Sequence, residues 1–480
     1  MKSSTRFYAG LLLMITLNVV IKPAWVFGID RQVQNQVGPT DYGIYFSLFN
    51  LSVVFIFLLD WGLTTFFNRQ LAMTDSSAIT QPRSFLQLKL LFSLLYAIVV
   101  CSAAWISGVH RWDIVVYVIL IQVFYSLFMF IRATLTARQF FLTDAWLSII
   151  DKSLMLLIGG ALLYYPTLHG SMTIERFAWL QAVCLCVAML VALICLWRKG
   201  LLHYLRFSGF PDKKIFKQAF PFAVIVLLMS VHARLDAFLL ERMGTDGAYE
   251  SGIYAAAYRL LDAANMVGTL TVSFLLPYIV RRWSGNKDIN EVILTGRHFL
   301  LMLSIGISCI MVFMGDWVQQ VLYHHNDAKA VTVLQWCLPS LIGYSLTQIY
   351  GTVLTATGHI RSFCVIVGLA ALINIVLNLL LIPSLGAKGC CIAALFSQLG
   401  AGITIMLYAS QKIGLYLHSR SLLVYIFTAI LLSVFLYAGN NWPISKEILL
   451  MMAAILTLLV MLLTGMLKPG AWLKQEKNLQ

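Results

Sequence analysis

Charged side chains are scarce in this 480-residue chain, because Asp, Glu, Lys and Arg make up only 11% of it, whereas hydrophobic residues make up 60%. A soluble globular domain usually carries about 25% charged residues, so this composition excludes that class. Long hydrophilic segments are also lacking, since the longest runs only from Arg198 to Gln218 and contains apolar residues itself. The chain therefore has no room for a catalytic domain outside a membrane.

Motifs for catalysis or nucleotide binding are missing as well. The chain contains no His-Glu-x-x-His, no Gly-rich loop ending in Gly-Lys-Ser/Thr and no Asp-rich motif for a glycosyl-donor metal. Its nine cysteines fall in or beside apolar runs, without the His or carboxylate neighbours of a metal site. We expect no enzyme activity, no metal and no cofactor, and any transport should be passive or ion-coupled.

Long apolar runs are what the chain has in quantity. They are continuous and rich in Leu, Ile, Val and Ala, and each can cross about 30 Å of hydrocarbon as a helix. We predict an all-α polytopic membrane protein with fourteen transmembrane helices, at residues 7–29, 42–66, 85–108, 113–136, 143–165, 176–197, 216–240, 250–278, 297–318, 330–356, 362–383, 388–409, 421–439 and 447–467.

The distribution of basic residues supports this count. With both termini in the cytoplasm, most Lys and Arg residues fall in inner loops, as the positive-inside rule requires. The outer loops hold only Arg31, Arg111, Arg176, Arg242, Lys329, Lys388 and Lys446. This asymmetry accounts for most of the net charge of +14, so the charge does not indicate nucleic-acid binding.

The two halves of the chain resemble each other. Each contains an Asp-x7-Gly element followed by Gly-Ile-Tyr, at Asp30, Gly38 and 43–45 in the first half and at Asp236, Gly244 and 252–254 in the second. We predict two six-helix bundles, from spans 1–6 and 7–12. The expected division is an N-terminal lobe at 1–197, a basic cytoplasmic linker at 198–215, a C-terminal lobe at 216–409, and two additional helices with a cytoplasmic tail at 410–480.

Several motifs carry a family resemblance. They are Asp-x7-Gly with Gly-Ile-Tyr, Asp60-Trp-Gly-Leu with Arg69-Gln-Leu-Ala, Pro277 before Arg281-Arg282, and Asn374-x3-Asn378 followed by Pro383, Gly386 and Gly389. The chain resembles the multidrug/oligosaccharidyl-lipid/polysaccharide exporter superfamily, and within it the polysaccharide transporter branch of O-antigen and capsule repeat-unit flippases. That resemblance implies an oligosaccharide on undecaprenyl pyrophosphate as the cargo, moved across the bacterial cytoplasmic (inner) membrane from the cytoplasmic to the periplasmic leaflet.

Three cations inside apolar spans are the candidate substrate-binding residues: Lys22, Arg234 and Arg259. A charge at the bilayer centre is costly unless it faces a partner or a water-filled cavity. Lys22 lies about sixteen residues, or roughly 24 Å, into the first span. An anionic pyrophosphate would suit a cavity lined by these cations, between two lobes that alternate in access. Alternatively, Lys22 could extend to the outer surface, and Arg259 could pair with Asp262.

Other polar residues within the spans allow a structural or a functional role. Asp30, Asp236 and Asp262 are candidates for ion coupling, by H+ or Na+, or for helix-end structure. Arg132 lies near the inner end of its span and can extend to the headgroups. At least one of the adjacent residues Asp151 and Lys152 should face the bundle interior. Asn374 and Asn378 share one helix face and should form hydrogen bonds between helices.

Three functions remain open from the sequence. The first is a lipid-linked oligosaccharide flippase, whose partners would be its cargo, membrane lipids, a coupling cation and the polysaccharide polymerase machinery. The second is an ion-coupled multidrug or organic-cation antiporter of the same superfamily, for which acidic cavity residues would be expected. The third, a membrane glycosyltransferase or polymerase, lacks the catalytic loop that it would need.

Overall fold

The computed structural model describes residues 2–64, 67, 71, 85–165, 172–205, 213–285, 288–324, 327–415 and 419–466, with side chains from residue 13 onward except at 213–219, 221–222, 274, 277, 284 and 419. Arg69, part of the predicted linker and the C-terminal basic tail lie outside these residues. By internal contacts the chain falls into two compact units, Met1–Gly252 and Ile253–Gln480. The predicted lobe boundaries stay a prediction.

The described residues of unit 1 form helices α1 to α9 and the start of α10. Their bounds are α1 Lys2–Trp25, α2 Arg31–Val54, α3 Phe57–Asp60, α4 Phe85–Ile106, α5 Trp112–Ala137, α6 Phe141–Leu154, α7 Gly160–Tyr164, α8 Ile174–Arg198, α9 Lys213–Met243 and α10 Gly247–Ser284. Two π-helical turns continue α1 and α6, at Val26–Asp30 and Met155–Gly159.

In unit 2 the described residues form the rest of α10 and seven further helices. Their bounds are α11 Asn290–Tyr323, α12 Ala328–Cys337, α13 Ser340–Ala356, α14 Ile360–Leu385, α15 Ala387–Ile413, α16 Ser419–Gly439 and α17 Lys446–Leu463. Pro339 separates α12 from α13, which together correspond to one predicted span. The last two helices, α16 and α17, pack against α11 and against each other.

Thirteen helical stretches in the described part of the chain are long and apolar enough to cross a membrane. The first, Leu13–Val54, has 42 residues, far more than the roughly 20 needed to cross a bilayer. Gly38 interrupts its helical geometry with a φ of 81°, so this stretch contains the first predicted span and the start of the second. The prediction of an all-α polytopic membrane protein is confirmed, with thirteen to fourteen candidate spans where fourteen were predicted.

A buried ion pair joins α3 to α4 in unit 1. The ammonium of Lys89 contacts the carboxylate of Asp60 and donates to Ser126 Oγ on α5 at 2.9 Å. Thr64 also donates a hydrogen bond to Asp60. The Lys89 side chain is only 1% exposed, whereas that of Asp60 is 35% exposed. Asp60 thus forms an ion pair at the end of its helix with a lysine that the sequence had not singled out.

Of the two amides spaced i, i+4 on α14, Asn374 makes the predicted hydrogen bond between helices, and Asn378 donates to Asn374 on the same helix. Asn378 Nδ2 donates to Asn374 Oδ1 at 3.1 Å, and Asn374 Nδ2 donates to Ser397 Oγ on α15 at 3.2 Å. Both asparagines are 0% exposed. This network links α14 to α15 before Pro383 and Gly386, where α14 ends.

Candidate substrate-binding site

Lys22 lies in a group of charged side chains within unit 1. It is half-buried on α1, which packs against α6. Asp151 and Lys152 on α6 and Arg132 on α5 are near enough to interact with it electrostatically. Pro23 follows Lys22 inside α1 and removes one backbone donor, and the π-helical turn begins three residues later. An irregular helix segment therefore presents Lys22 to its charged neighbours.

The α6 charges are held by an ion pair and an aromatic ring. Lys152 Nζ lies 3.4 Å from Asp151 Oδ2 and 4.1 Å from the ring centroid of Trp25. An ammonium over the face of a tryptophan is attracted by the ring quadrupole. Asp151 is buried and Lys152 is half-buried, which confirms that at least one member of this pair faces the bundle interior.

Arg132 forms a two-point ion pair with Asp144. Its Nε donates to Asp144 Oδ1 at 2.7 Å, and its Nη2 donates to Oδ2 at 3.1 Å. The arginine side chain is only 14% exposed and packs against Phe128. The expectation that Arg132 extends to the headgroups is wrong, because a carboxylate on the next helix satisfies it inside the bundle.

We call Lys22, Arg132, Asp144, Asp151 and Lys152 the α1–α6 charge cluster. It holds three cations and two carboxylates, so its formal charge is positive. Both carboxylates have a cationic partner within the cluster, which leaves one cation in excess. A sugar or phosphate group arriving beside Lys22 would meet a positive surface that also offers a polar pair, Asn18 and Ser148, hydrogen-bonded at 2.7 Å.

Asp144 is the member of the cluster that the sequence did not reveal. It lies near the start of α6, where an acidic residue looks like an ordinary helix-end charge. The signal that could have found it is the short connection between α5 and α6, which makes the two helices antiparallel neighbours. Arg132 and Asp144 then lie at the same depth.

The predicted cations Arg234 and Arg259 lie in different units. Arg234 is half-buried on α9 in unit 1, two residues before Asp236, which is 1% exposed. Arg259 is 9% exposed on α10 in unit 2, and Asp262 follows it at i+3 on the same continuous helix. The prediction that Lys22, Arg234 and Arg259 line one cavity stays a prediction.

Asp30 is enclosed by hydrogen-bond donors in unit 1. Its side chain is 0% exposed in the π-helical turn. Tyr42 Oη lies 2.9 Å and 3.0 Å from its two carboxylate oxygens, and Gln34 Nε2 donates to one of them at 3.1 Å. This arrangement holds the start of α2 against the turn that follows Lys22. Its role in ion coupling stays a prediction.

Comparison with known proteins decides the family. A family model described as "Lipid II flippase MurJ" matches residues 108–467, about three quarters of the chain. The chain belongs to the MurJ family. This membership confirms the coarser part of the sequence-based expectation, a transporter of the exporter superfamily that moves a lipid-linked precursor, and it confirms that the chain is not an enzyme.

Solved structures agree with this fold. A lipid II flippase MurJ in an inward closed conformation is 13% identical, with a TM-score of 0.65 over 96% of this chain and 97% of that one. An inward-facing multidrug resistance MATE family transporter is 12% identical, with a TM-score of 0.64 over 84% of this chain and 98% of that one. A transporter of the same superfamily from Pyrococcus furiosus is 12% identical, with a TM-score of 0.60 over 86% and 96%. Among curated protein sequences, none matches.

Proposed function

We propose that this MurJ-family protein moves a saccharide linked to undecaprenyl pyrophosphate across the bacterial cytoplasmic membrane, from the cytoplasmic to the periplasmic leaflet. The observation that supports this most is the positive α1–α6 charge cluster inside a membrane-embedded helix bundle. A pyrophosphate diester carries about two negative charges, and cations away from bulk water are its natural partners. Arg234 and Arg259 are proposed to serve the same headgroup.

Two cargo saccharides fit this headgroup. The family match favours the precursor in the family's description, lipid II, whereas the sequence motifs resemble flippases of O-antigen, capsule or exopolysaccharide repeat units. Both cargoes share the undecaprenyl pyrophosphate that the cations would recognise. We propose the repeat unit as the cargo on the motif resemblance and lipid II as the alternative on the family match. A repeat-unit flippase would work beside a polysaccharide polymerase.

The transport cycle proposed here is alternating access coupled to a cation. Lys22 lies on α1 directly before Pro23 and a π-helical turn. The regular α-helical hydrogen-bond pattern is already interrupted there, so this is a point at which the helix can bend. Asp30, Asp236 and Asp262 are the proposed sites at which H+ or Na+ acts. An organic-cation antiporter would require a net negative site, and the excess cation of the cluster argues against it.

Complementation in two bacterial strains tests the proposal. One strain is depleted of its lipid II flippase, and the other lacks its repeat-unit flippase but keeps the matching sugar pathway. Restored surface polysaccharide would support the repeat-unit cargo, and restored growth of the depleted strain would support lipid II. If neither strain is rescued and expression instead raises drug resistance, the antiporter function replaces the proposal.

A further inference from the structure

Arg297 in unit 2 is a buried arginine for which the described residues provide no acidic partner. It is 3% exposed, and its Nη1 donates to Tyr350 Oη at 3.2 Å. Its Nε and Nη2 have no hydrogen-bond partner among the described residues. The groups that interact with it electrostatically are two phenols, those of Tyr350 and Tyr425. Among the described residues, the side chains that interact with its positive charge are thus neutral.

Such an arrangement is costly unless a ligand completes it. Buried charges in proteins are normally paired, and buried N–H groups are normally hydrogen-bonded. A lysine or histidine could lose its proton instead, but a guanidinium does not. The site therefore favours an acceptor that carries negative charge.

The surrounding groups are mostly donors. The Tyr350 hydroxyl accepts from Arg297, so its own proton remains available for an acceptor. Tyr425 Oη lies 2.6 Å from His298 Nδ1, and this pair borders the same guanidinium. Arg297 Nε and Nη2 together carry three N–H groups. Beside phenolic hydroxyls, these donors match the several oxygens of a phosphate group better than one carbonyl.

The location of the site indicates where such a phosphate comes from. Arg297 lies seven residues into α11, about 10 Å from the helix start, and Tyr425 lies six residues into α16. The helix ends on this side carry the basic residues Arg281, Arg282, Arg361, Lys412 and Arg420. By the positive-inside rule this end of unit 2 faces the cytoplasm, where the membrane leaflet is anionic.

Beside Tyr425, helix α16 presents an apolar surface. The exposed large side chains there are Leu422, Leu423, Ile426, Phe427 and Ile430. Tyr425 itself is half-buried, so it separates Arg297 from this apolar surface. A lipid whose acyl chains cover α16 would bring its phosphate to the depth of Tyr425 in the membrane. The phosphate would then lie next to the side chain that borders the Arg297 guanidinium.

We propose that Arg297, Tyr350 and Tyr425 form a phosphate-binding site, filled by the headgroup of an anionic membrane lipid or by soluble phosphate. This site is independent of the proposed cargo site, and nothing in the transport function requires it. Its occupant would supply the missing counter-charge and tie α16 to α11 and α13. The protein should then be more stable with the ligand than without it.

The test is the melting temperature of delipidated full-length protein in neutral detergent. Phosphatidylglycerol, phosphatidylcholine and inorganic phosphate are added in separate titrations. Stabilisation by phosphatidylglycerol but not by phosphatidylcholine identifies a lipid source, and stabilisation by inorganic phosphate identifies a soluble one. Equal effects of phosphatidylglycerol and phosphatidylcholine, with none from inorganic phosphate, would overturn the proposal.

Variants separate this site from general surface charge. Tyr350→Phe keeps the ring and removes only the hydroxyl. The ligand concentration needed for half of the melting-temperature shift should rise roughly tenfold, as expected for one lost hydrogen bond to a charged group. Arg297→Gln should abolish the shift. Arg420→Gln, which removes an exposed charge from the same end of α16, should leave it unchanged. A wild-type response from both site variants would refute the assignment.

One further variant tests whether the chain supplies its own counter-charge. Glu476 lies outside the described residues and is the only acidic residue in the sequence after Glu447, which makes it the candidate partner from the C-terminal segment. If Glu476→Gln lowers the melting temperature as much as Arg297→Gln and removes the response to phosphatidylglycerol, the partner of Arg297 is that carboxylate and the proposal fails. A wild-type response of Glu476→Gln supports an external phosphate.

Discussion

Gly43 and Gly252, the glycines of the two Gly-Ile-Tyr sequences, meet backbone to backbone in unit 1. A Cβ on Gly43 would lie 2.6 Å from the Gly252 nitrogen and 1.9 Å from the Ala248 carbonyl oxygen, and one on Gly252 would lie 1.9 Å from the Pro39 carbonyl oxygen. Ser251 Oγ also donates to the Gly43 carbonyl oxygen, at 3.2 Å. The repeated motif thus creates a close contact between α2 and the start of α10.

Alanine at either glycine should disrupt this contact. Gly43→Ala or Gly252→Ala would force two backbones apart, at a cost of at least about 1–3 kcal/mol by analogy with overpacked cores. We expect a lower melting temperature and reduced transport. Gly400→Ala is the matched control, because a Cβ there meets nothing within 4 Å on a regular helix. Equal behaviour of all three variants would mean that α2 and α10 are not in contact in the working protein.

The charge of the three proposed substrate-binding residues should govern transport. Lys22→Ala, Arg234→Ala and Arg259→Ala should each reduce cargo movement, because the pyrophosphate loses a counter-charge that offsets its desolvation. Arg→Lys should be partly tolerated, and Arg→Glu should be worse than Arg→Ala. The measurement is complementation together with the membrane level of each variant. Lys412→Ala, at an exposed position on α15, serves as the control, and full activity of the two Arg→Ala variants would assign those arginines a structural role.

The pair of Arg132 and Asp144 should show strong coupling. Removing either partner alone leaves a buried charge, which typically costs about 3–5 kcal/mol. Arg132→Leu and Asp144→Leu should therefore both lower the unfolding temperature, whereas the double variant should recover much of the loss. A double-mutant cycle on purified protein measures the coupling energy. Additive effects of the two changes would show that the ion pair contributes little.

The pair of Lys89 and Asp60 should respond asymmetrically. Asp60→Asn leaves the buried ammonium of Lys89 without its carboxylate, a change expected to cost about 3–5 kcal/mol. Lys89→Met leaves an Asp60 side chain that is 35% exposed and can be hydrated, so its cost should be smaller. Thermal unfolding of the two variants side by side provides the measurement. A larger loss for Lys89→Met would contradict the burial difference between the two partners.

The orientation of unit 2 can be tested with cysteine labels. Lys412→Cys at the end of α15 should react with a membrane-impermeant maleimide only when the cytoplasmic face is open, whereas Asn441→Cys after α16 should react in intact cells. Both positions are exposed, and the protein without an added cysteine controls for its nine native thiols. The opposite labelling pattern would show that the topology is inverted. The lipid proposed for Arg297 would then not come from the cytoplasmic leaflet.

Composition, hydropathy and motifs were enough to predict the protein class, the approximate number of spans and the superfamily. Hydropathy sums the transfer free energy of about twenty residues, so the position of a span does not depend on its neighbours. The hydrogen bond from Asn374 to the neighbouring helix was also predicted, because Asn374 and Asn378 share one helix face in any packing and amides in a membrane bond between helices. The predicted ends of the spans were less accurate than their positions. Arg297 stood at the predicted start of its span, whereas α11 begins seven residues earlier at Asn290.

The partner of each buried charge, by contrast, depends on how the helices pack. Arg132 could have reached the headgroups, Lys89 was indistinguishable from a helix-end cation, and nothing in the sequence showed that Gly43 touches Gly252. Hydropathy reports how deeply a residue sits but not the direction in which its side chain points. That direction depends on the rotation of each helix about its axis, where one residue corresponds to about 100°. Packing against neighbouring helices sets this rotation, and with it the pairing of the charges.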